Sequence, residues 1–224
     1  MECDYVPILL SLQPYLDTLK DGSTLQRGAK KTAIEKVKQI AFQGTTNWCS
    51  ADQVALFDEL LDPIFLWSTS DIEYIREKAV LLLQCYVERT DEPKDKVVQT
   101  CMHRFPSEPT EEIRQVWMNV ILTMIRKLTK KVKPPMDDVW FGLATLAVTD
   151  PCPQVIKQGA DLVVAVATLQ PKAVGYRGEH TIINSVLPLL THKHTATRIL
   201  GTKVRPLHND MNNTNCRKWS EGGS

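Results

Sequence analysis

At 224 residues the chain can form one large domain or a short array of repeats, and 27 basic against 26 acidic residues leave a net charge of +1. That balance excludes a global electrostatic pull toward nucleic acid or an anionic membrane. No apolar run approaches the ~18–20 residues of a membrane span, and the acidic start Met1-Glu2-Cys3-Asp4 is unlike a secretory signal, so a cytoplasmic chain is expected.

Asp4 is placed to cap a first helix, with Pro7 tolerated in its opening turn and Ile8, Leu9, Leu12, Leu16 and Leu19 inward. Pro14 is expected to bend it, and Asp21-Gly22-Ser23 to end it. A second helix follows with Ala29, Ala33, Val37 and Ile40 on its apolar face and Arg27, Lys30, Lys31, Lys36 and Lys38 off it. Ser50-Ala51-Asp52-Gln53 reads as a capping box opening a helix with Val54, Leu56, Phe57, Leu60 and Leu61, kinked at Pro63. Ser70 or Asp71 caps the next. A short helix after Pro93 carries Val97, Val98, Cys101, Met102 and Phe105, and Ser107–Thr110 forms the turn beyond it. After Pro134-Pro135 comes a helix with Val139, Trp140, Leu143 and Leu146 inward, broken at Asp150-Pro151. A connection from Gln170 to Glu179 leads to a last helix bearing Ile182, Ile183, Val186, Leu187 and Leu190.

Three of these segments share one pattern. Ile75 is followed by Ala79, Leu82, Leu83 and Tyr86; Ile113 by Trp117, Val120, Ile121 and Met124; Val155 by Gly159, Leu162, Val163 and Val166. Offsets of +4, +7, +8 and +11 trace one face of an α-helix. A fourth copy begins at Thr197-Arg198, so the anchors lie 38, 42 and 42 residues apart. Repeats of about 40–47 residues built from helix pairs mark HEAT and armadillo arrays. The fold expected is therefore all-α, a HEAT/armadillo-like α-solenoid of stacked antiparallel helix pairs. Its units fall at about 4–42, 50–89, 93–130 and 134–169, with a truncated one at 179–201. The tail, 202–224, loses apolar periodicity and is expected to be disordered. It stands either as a natural terminus or as a non-native extension, since Lys203-Val204-Arg205 is what a splice-donor sequence would encode if read through.

The chain carries no GxSxG, Walker loop, GxGxxG or HExxH, so catalysis has no recognisable nucleophile, cradle or metal site. Asp58-Glu59, Glu111-Glu112 and Asp137-Asp138 fall in first turns or on outer faces, where acids complement the helix dipole or are solvated. The run Arg126–Lys133 suits a helix C-terminus; no aromatics interleave to stack bases, and Arg27, Lys30 and Lys31 read the same way. His192-x-His194 has no acidic or Cys partner nearby and reads as a turn. Cys3, Cys49, Cys85, Cys101, Cys152 and Cys216 are scattered and read as reduced thiols. Trp48, Trp67, Trp117 and Trp140 read as packing residues. Arg76 and Arg114, each just past an anchor and after Asp71 and Glu111 or Glu112, are the candidates for an acid–arginine ladder between adjacent units. The expectation is a non-enzymatic protein with no cofactor, no metal, no nucleic acid, no membrane and no small-molecule substrate; no residue set singles out a protein-binding surface.

Asp71-x-x-x-Ile75-Arg76-x-x-Ala79 resembles the HEAT consensus, as does Asp150-Pro151-x-x-x-Val155, with Ile156 where the arginine is expected. Over about residues 5–200, and especially in Leu56–Leu83 and in Ile183–Arg198 with its His-x-His turn, the chain resembles the N-terminal part of the HEAT-repeat axonemal dynein assembly factor family, the fifth of that series. The resemblance implies a cytoplasmic scaffold that helps preassemble dynein arms, with dynein chains and chaperone machinery as partners and no catalytic residue. A general HEAT adaptor, such as a transport-receptor or phosphatase-scaffold fragment, is the alternative.

Overall fold

In a computed structural model of the chain, the residues described are 5–21, 26–43, 50–90, 94–127, 137–169, 187, 189–191, 195, 198–199 and 201–202. Eight α-helices are delimited among them, α1 (Val6–Lys20), α2 (Arg27–Lys38), α3 (Ser50–Trp67), α4 (Glu73–Arg89), α5 (Asp95–Arg104), α6 (Glu111–Lys127), α7 (Asp137–Val148) and α8 (Pro153–Leu169), and the described residues at 187, 189–190, 195, 198–199 and 201–202 are helical too. A π-helical turn, Gln39–Gln43, extends α2, and there is no strand among the described residues. Asp4, the connection 170–179, Ile182, Ile183, Val186, His192, His194, Thr197 and the tail from 203 onward lie outside the described residues.

The chain divides into two compact units, Met1–Cys101 with Glu108–Thr123, and Met102–Ser107 with Met124–Ser224. In the first, α1 packs on α2 and α3 on α4, while α1 also meets α3 and α2 meets α4. First helices thus neighbour first helices, and second helices neighbour second helices. In the second unit α7 packs on α8. All fifteen positions of the three aligned stripes are buried, among them Leu82 at 1% exposure and Val120 and Leu162 at 0%.

Several expected faces are turned. In α2 the buried set is Lys30, Ala33, Ile34 and Val37, whereas Ala29 is exposed and Ile40 half-buried. Ala33 and Val37 belong to both alternatives, and the π-turn then carries Ala41 and Phe42 inward in place of Ile40. Lys30 lies at the margin of the apolar face, where a lysine stem packs well. In α7, Trp140 and Leu143 are inward, but Leu146 is 45% exposed while Ala144 and Ala147 are buried. Six residues from Trp140 falls off an inward arc that continues at +4 and +7. Leu187 is likewise exposed, while Leu189 is buried. In α1, Leu12, Leu16 and Leu19 are buried, with Ile8 and Leu9 half-buried; the helix runs on through Pro14, and α3 runs on through Pro63.

Gly159 occupies a position that the aligned stripes fill with Ala79 and Trp117. A Cβ there would come within 2.8 Å of the Ala147 carbonyl carbon and the Val148 nitrogen. Gly159 therefore sets how closely α8 approaches α7.

Candidate interaction surface

The turns into α4, α6 and α8 repeat one device. Five residues before each anchor, a side-chain oxygen accepts the backbone N–H two residues on: Ser70 Oγ from Ile72 at 3.2 Å, Glu108 Oε1 from Thr110 at 3.1 Å, and Asp150 Oδ1 from Cys152 at 2.7 Å. Each removes a donor that the start of a helix would otherwise leave open. One residue past the anchor, arginine closes the turn from the other side. Arg76 Nη1 donates to the Ser70 carbonyl at 2.9 Å, and Arg114 Nη1 to the Glu108 and Pro109 carbonyls at 3.1 and 3.0 Å.

Arg76 then reaches into the following turn. Its Nε and Nη2 donate to the two carboxylate oxygens of Glu108 at 3.1 and 3.2 Å, and Nη2 also approaches Thr110 Oγ1 at 3.3 Å. The fork is well shielded, with side-chain exposures of 14% and 4%. The ladder expected of Arg76 is present, but its acid is Glu108. Asp71, Glu111 and Glu112 are exposed. The signal in the sequence was the recurrence of a side-chain acceptor at Ser70, Glu108 and Asp150.

Along the edge where α2 meets α4, Tyr74 is the centre of a polar cluster. Its hydroxyl donates to Glu35 Oε1 at 2.6 Å, and the ammonium groups of Lys31 and Lys78 each lie 4.9 Å from its ring centroid. The bond to Glu35, with some burial behind it, pushes the Tyr74 phenol up to about 12. At the other end of α4, Phe42 stacks on Phe57 with centroids 4.4 Å apart, and Phe57 meets Tyr86 edge-on. Arg89 lies 5.8 Å from both stacked rings and donates to the Phe42 carbonyl at 3.1 Å, a cation at a helix C-terminus. Asp58 is not merely solvated: it accepts the Tyr86 hydroxyl at 3.3 Å and pairs with Lys94 at 3.0 Å. Burial first, then Asp58, pushes the Tyr86 phenol up to about 12.

Among the described residues no group of three or more His, Cys, Asp or Glu could hold a metal ion. Cys101 and Cys152 are buried and Cys85 half-buried, none of them in a disulfide, and burial pushes the Cys101 thiol up and away from nucleophilic use. Trp67, Trp117 and Trp140 are buried packing residues whose indole N–H groups find no acceptor among the described residues. Glu111 and Glu112 lie in the first turn of α6, and Arg126 and Lys127 in its last, where each suits the helix dipole. Asp137 and Asp138 begin α7. Residues 128–136, Trp48, Cys3, Cys49 and Cys216 lie outside the described residues. No described helix is long and apolar enough to cross a membrane. What the arrangement offers is side-chain surface on stacked helices.

Comparison with known proteins agrees with that description. The family model described as dynein axonemal assembly factor 5-like, TPR repeats, matches residues 19–214. The sequence matches no curated protein. Among solved structures, the chain is similar to a computationally designed armadillo repeat protein for modular peptide recognition, at 15% identity and a TM-score of 0.58 over 88% of this chain and 82% of that one. It is also similar to a second engineered protein, at 11% identity and a TM-score of 0.55 over 87% of this chain and 77% of that one. These likenesses establish the all-α, armadillo-like solenoid fold. The anchors, 38 and 42 residues apart, are spaced more widely than the ~34 residues of a TPR and near the HEAT period; both are stacked helix pairs.

Proposed function

We propose that this chain, which belongs to the dynein axonemal assembly factor 5-like family, is a non-enzymatic cytoplasmic scaffold for the preassembly of axonemal dynein arms. The family match over residues 19–214 carries the reading. Stacked helix pairs without a metal cluster or activated nucleophile among the described residues support action through surface contact, and dynein chains with chaperone machinery are the partners proposed. Depleting the protein in a ciliated cell is expected to remove dynein arms from axonemes while leaving cilia built, as counted by electron microscopy. Normal arms and normal motility after complete loss would overturn it.

The alternative is a general helical-repeat adaptor for peptides. The similarity to an armadillo design made for modular peptide recognition favours it, and intact dynein arms after depletion would select it.

A further inference from the structure

Among the described helices α2 is the most unevenly charged. It carries Arg27, Lys30, Lys31, Lys36 and Lys38 against the single acid Glu35, and Glu35 already accepts the Tyr74 hydroxyl. Among the described residues none of these five cations is ion-paired, whereas Arg76, Lys78, Lys94 and Lys96 all have acidic partners. Lys36 donates to the Gln39 amide oxygen at 3.1 Å. Arg27, Lys31 and Lys38, spaced by four and seven residues, fall within about 40° of one another on a helix of 3.6 residues per turn. Lys31 of this row touches Tyr74 of α4, with Lys78 on the same ring, so the row runs along the edge where the two helices meet.

We infer that this row is a docking surface for an acidic segment of a partner protein, an inference that rests on the protein-scaffold reading and names the chemistry of one contact. At 1.5 Å per residue the row from Arg27 to Lys38 is about 16 Å long, which matches roughly five residues of extended peptide at 3.3 Å each. The unneutralised cations supply the charge complementarity. A nucleic acid is less well matched, because Tyr74, the aromatic that Lys31 touches, is already engaged by two ammonium groups and by its hydroxyl bond to Glu35. A membrane surface is less well matched as well. The exposed positions of α2 are Arg27, Gly28, Ala29, Lys31, Thr32 and Lys36, with no large apolar side chain to insert.

The test is a fluorescence-anisotropy titration of the whole 224-residue chain with a labelled nona-glutamate peptide. A labelled nona-lysine, a single-stranded oligothymidylate and phosphatidylserine vesicles serve as comparison probes. Binding to nona-glutamate is expected to weaken several-fold as salt rises from 50 to 300 mM, roughly as screening of exposed charges requires. Lys31→Glu with Lys38→Glu should weaken it at least tenfold, and Lys157→Glu on α8 should leave it unchanged. If the double charge reversal fails to fold by circular dichroism, Lys31→Gln with Lys38→Gln should still weaken binding several-fold. Absent binding, equal loss in the Lys157 variant, or tighter binding to the oligonucleotide or the vesicles would each overturn the proposal. Dynein-arm loss on depletion is read independently, so failure here would reject α2 as the contact and leave the scaffold reading standing.

Discussion

The turn into α6 and the turn into α8 begin alike and are finished differently. Both place an acidic side chain five residues before the anchor, Glu108 or Asp150, and both use it to accept the N–H two residues on. The first then adds a buried fork from Arg76 and closes with Arg114 on its own carbonyls. The second has Ile156, 5% exposed, where an arginine would stand, and buries Cys152 at 6%. The inward stripe and the capping acceptor are thus what the units of α4, α6 and α8 share, whereas α2 has no side-chain cap. The arginine ladder is an addition, and a buried ion pair of this kind adds little net stability over well-packed apolar residues of similar volume.

The comparison yields a graded set of expectations. Where the regions are alike, their losses should be alike: Leu82→Ala and Leu162→Ala should each cost about 2–5 kcal/mol in urea unfolding, since both side chains are closely packed on all sides. Where they differ, the losses should part. Glu108→Ala strands the Arg76 guanidinium and should cost about 3 kcal/mol, whereas Asp150→Ala removes a cap worth about 1 kcal/mol. Replacing both Arg76 and Glu108 by apolar residues should recover most of the first loss; a double variant no better than Glu108→Ala would break the interpretation of the pair. Gly159→Ala should cost roughly 1–3 kcal/mol, because the added methyl meets backbone of α7 rather than a movable side chain.

The smallest effect belongs to the edge between α2 and α4. Tyr74→Phe removes one half-buried hydrogen bond, worth about 1 kcal/mol. Its phenol is raised to about 12 from an unfolded value near 10, so the contribution is complete below pH ~10 and is lost as pH rises through 12. Tyr86, also raised to about 12, titrates in the same window. The alkaline fall in melting temperature should therefore be shallower in Tyr74→Phe and shallowest in the double Phe variant.

The fold was legible wherever side chains obey a period. Ile75, Ile113 and Val155 with their followers needed only 3.6-residue geometry, and all are buried. The face of α2 was not, because Ala33 and Val37 fit two adjacent arcs, and the one the helix buries opens on a lysine, Lys30. Leu146 misled for a related reason: a large apolar residue near a helix end looks inward, yet the small Ala144 and Ala147 hold the arc. At the candidate surface, the sequence identified Arg76 but not Glu108, 32 residues away, nor the bond from Tyr74 to Glu35, 39 residues away. Such pairs depend on which helices are neighbours, which no local pattern states.

Amide hydrogen exchange tests most directly the claim that one stripe is built three times. The amides of 79–87, 117–125 and 159–167, the equivalent halves of α4, α6 and α8, are expected to be the slowest in the chain and far slower than those of the turn at 70–72. Exchange in any one of the three as fast as in that turn would contradict it.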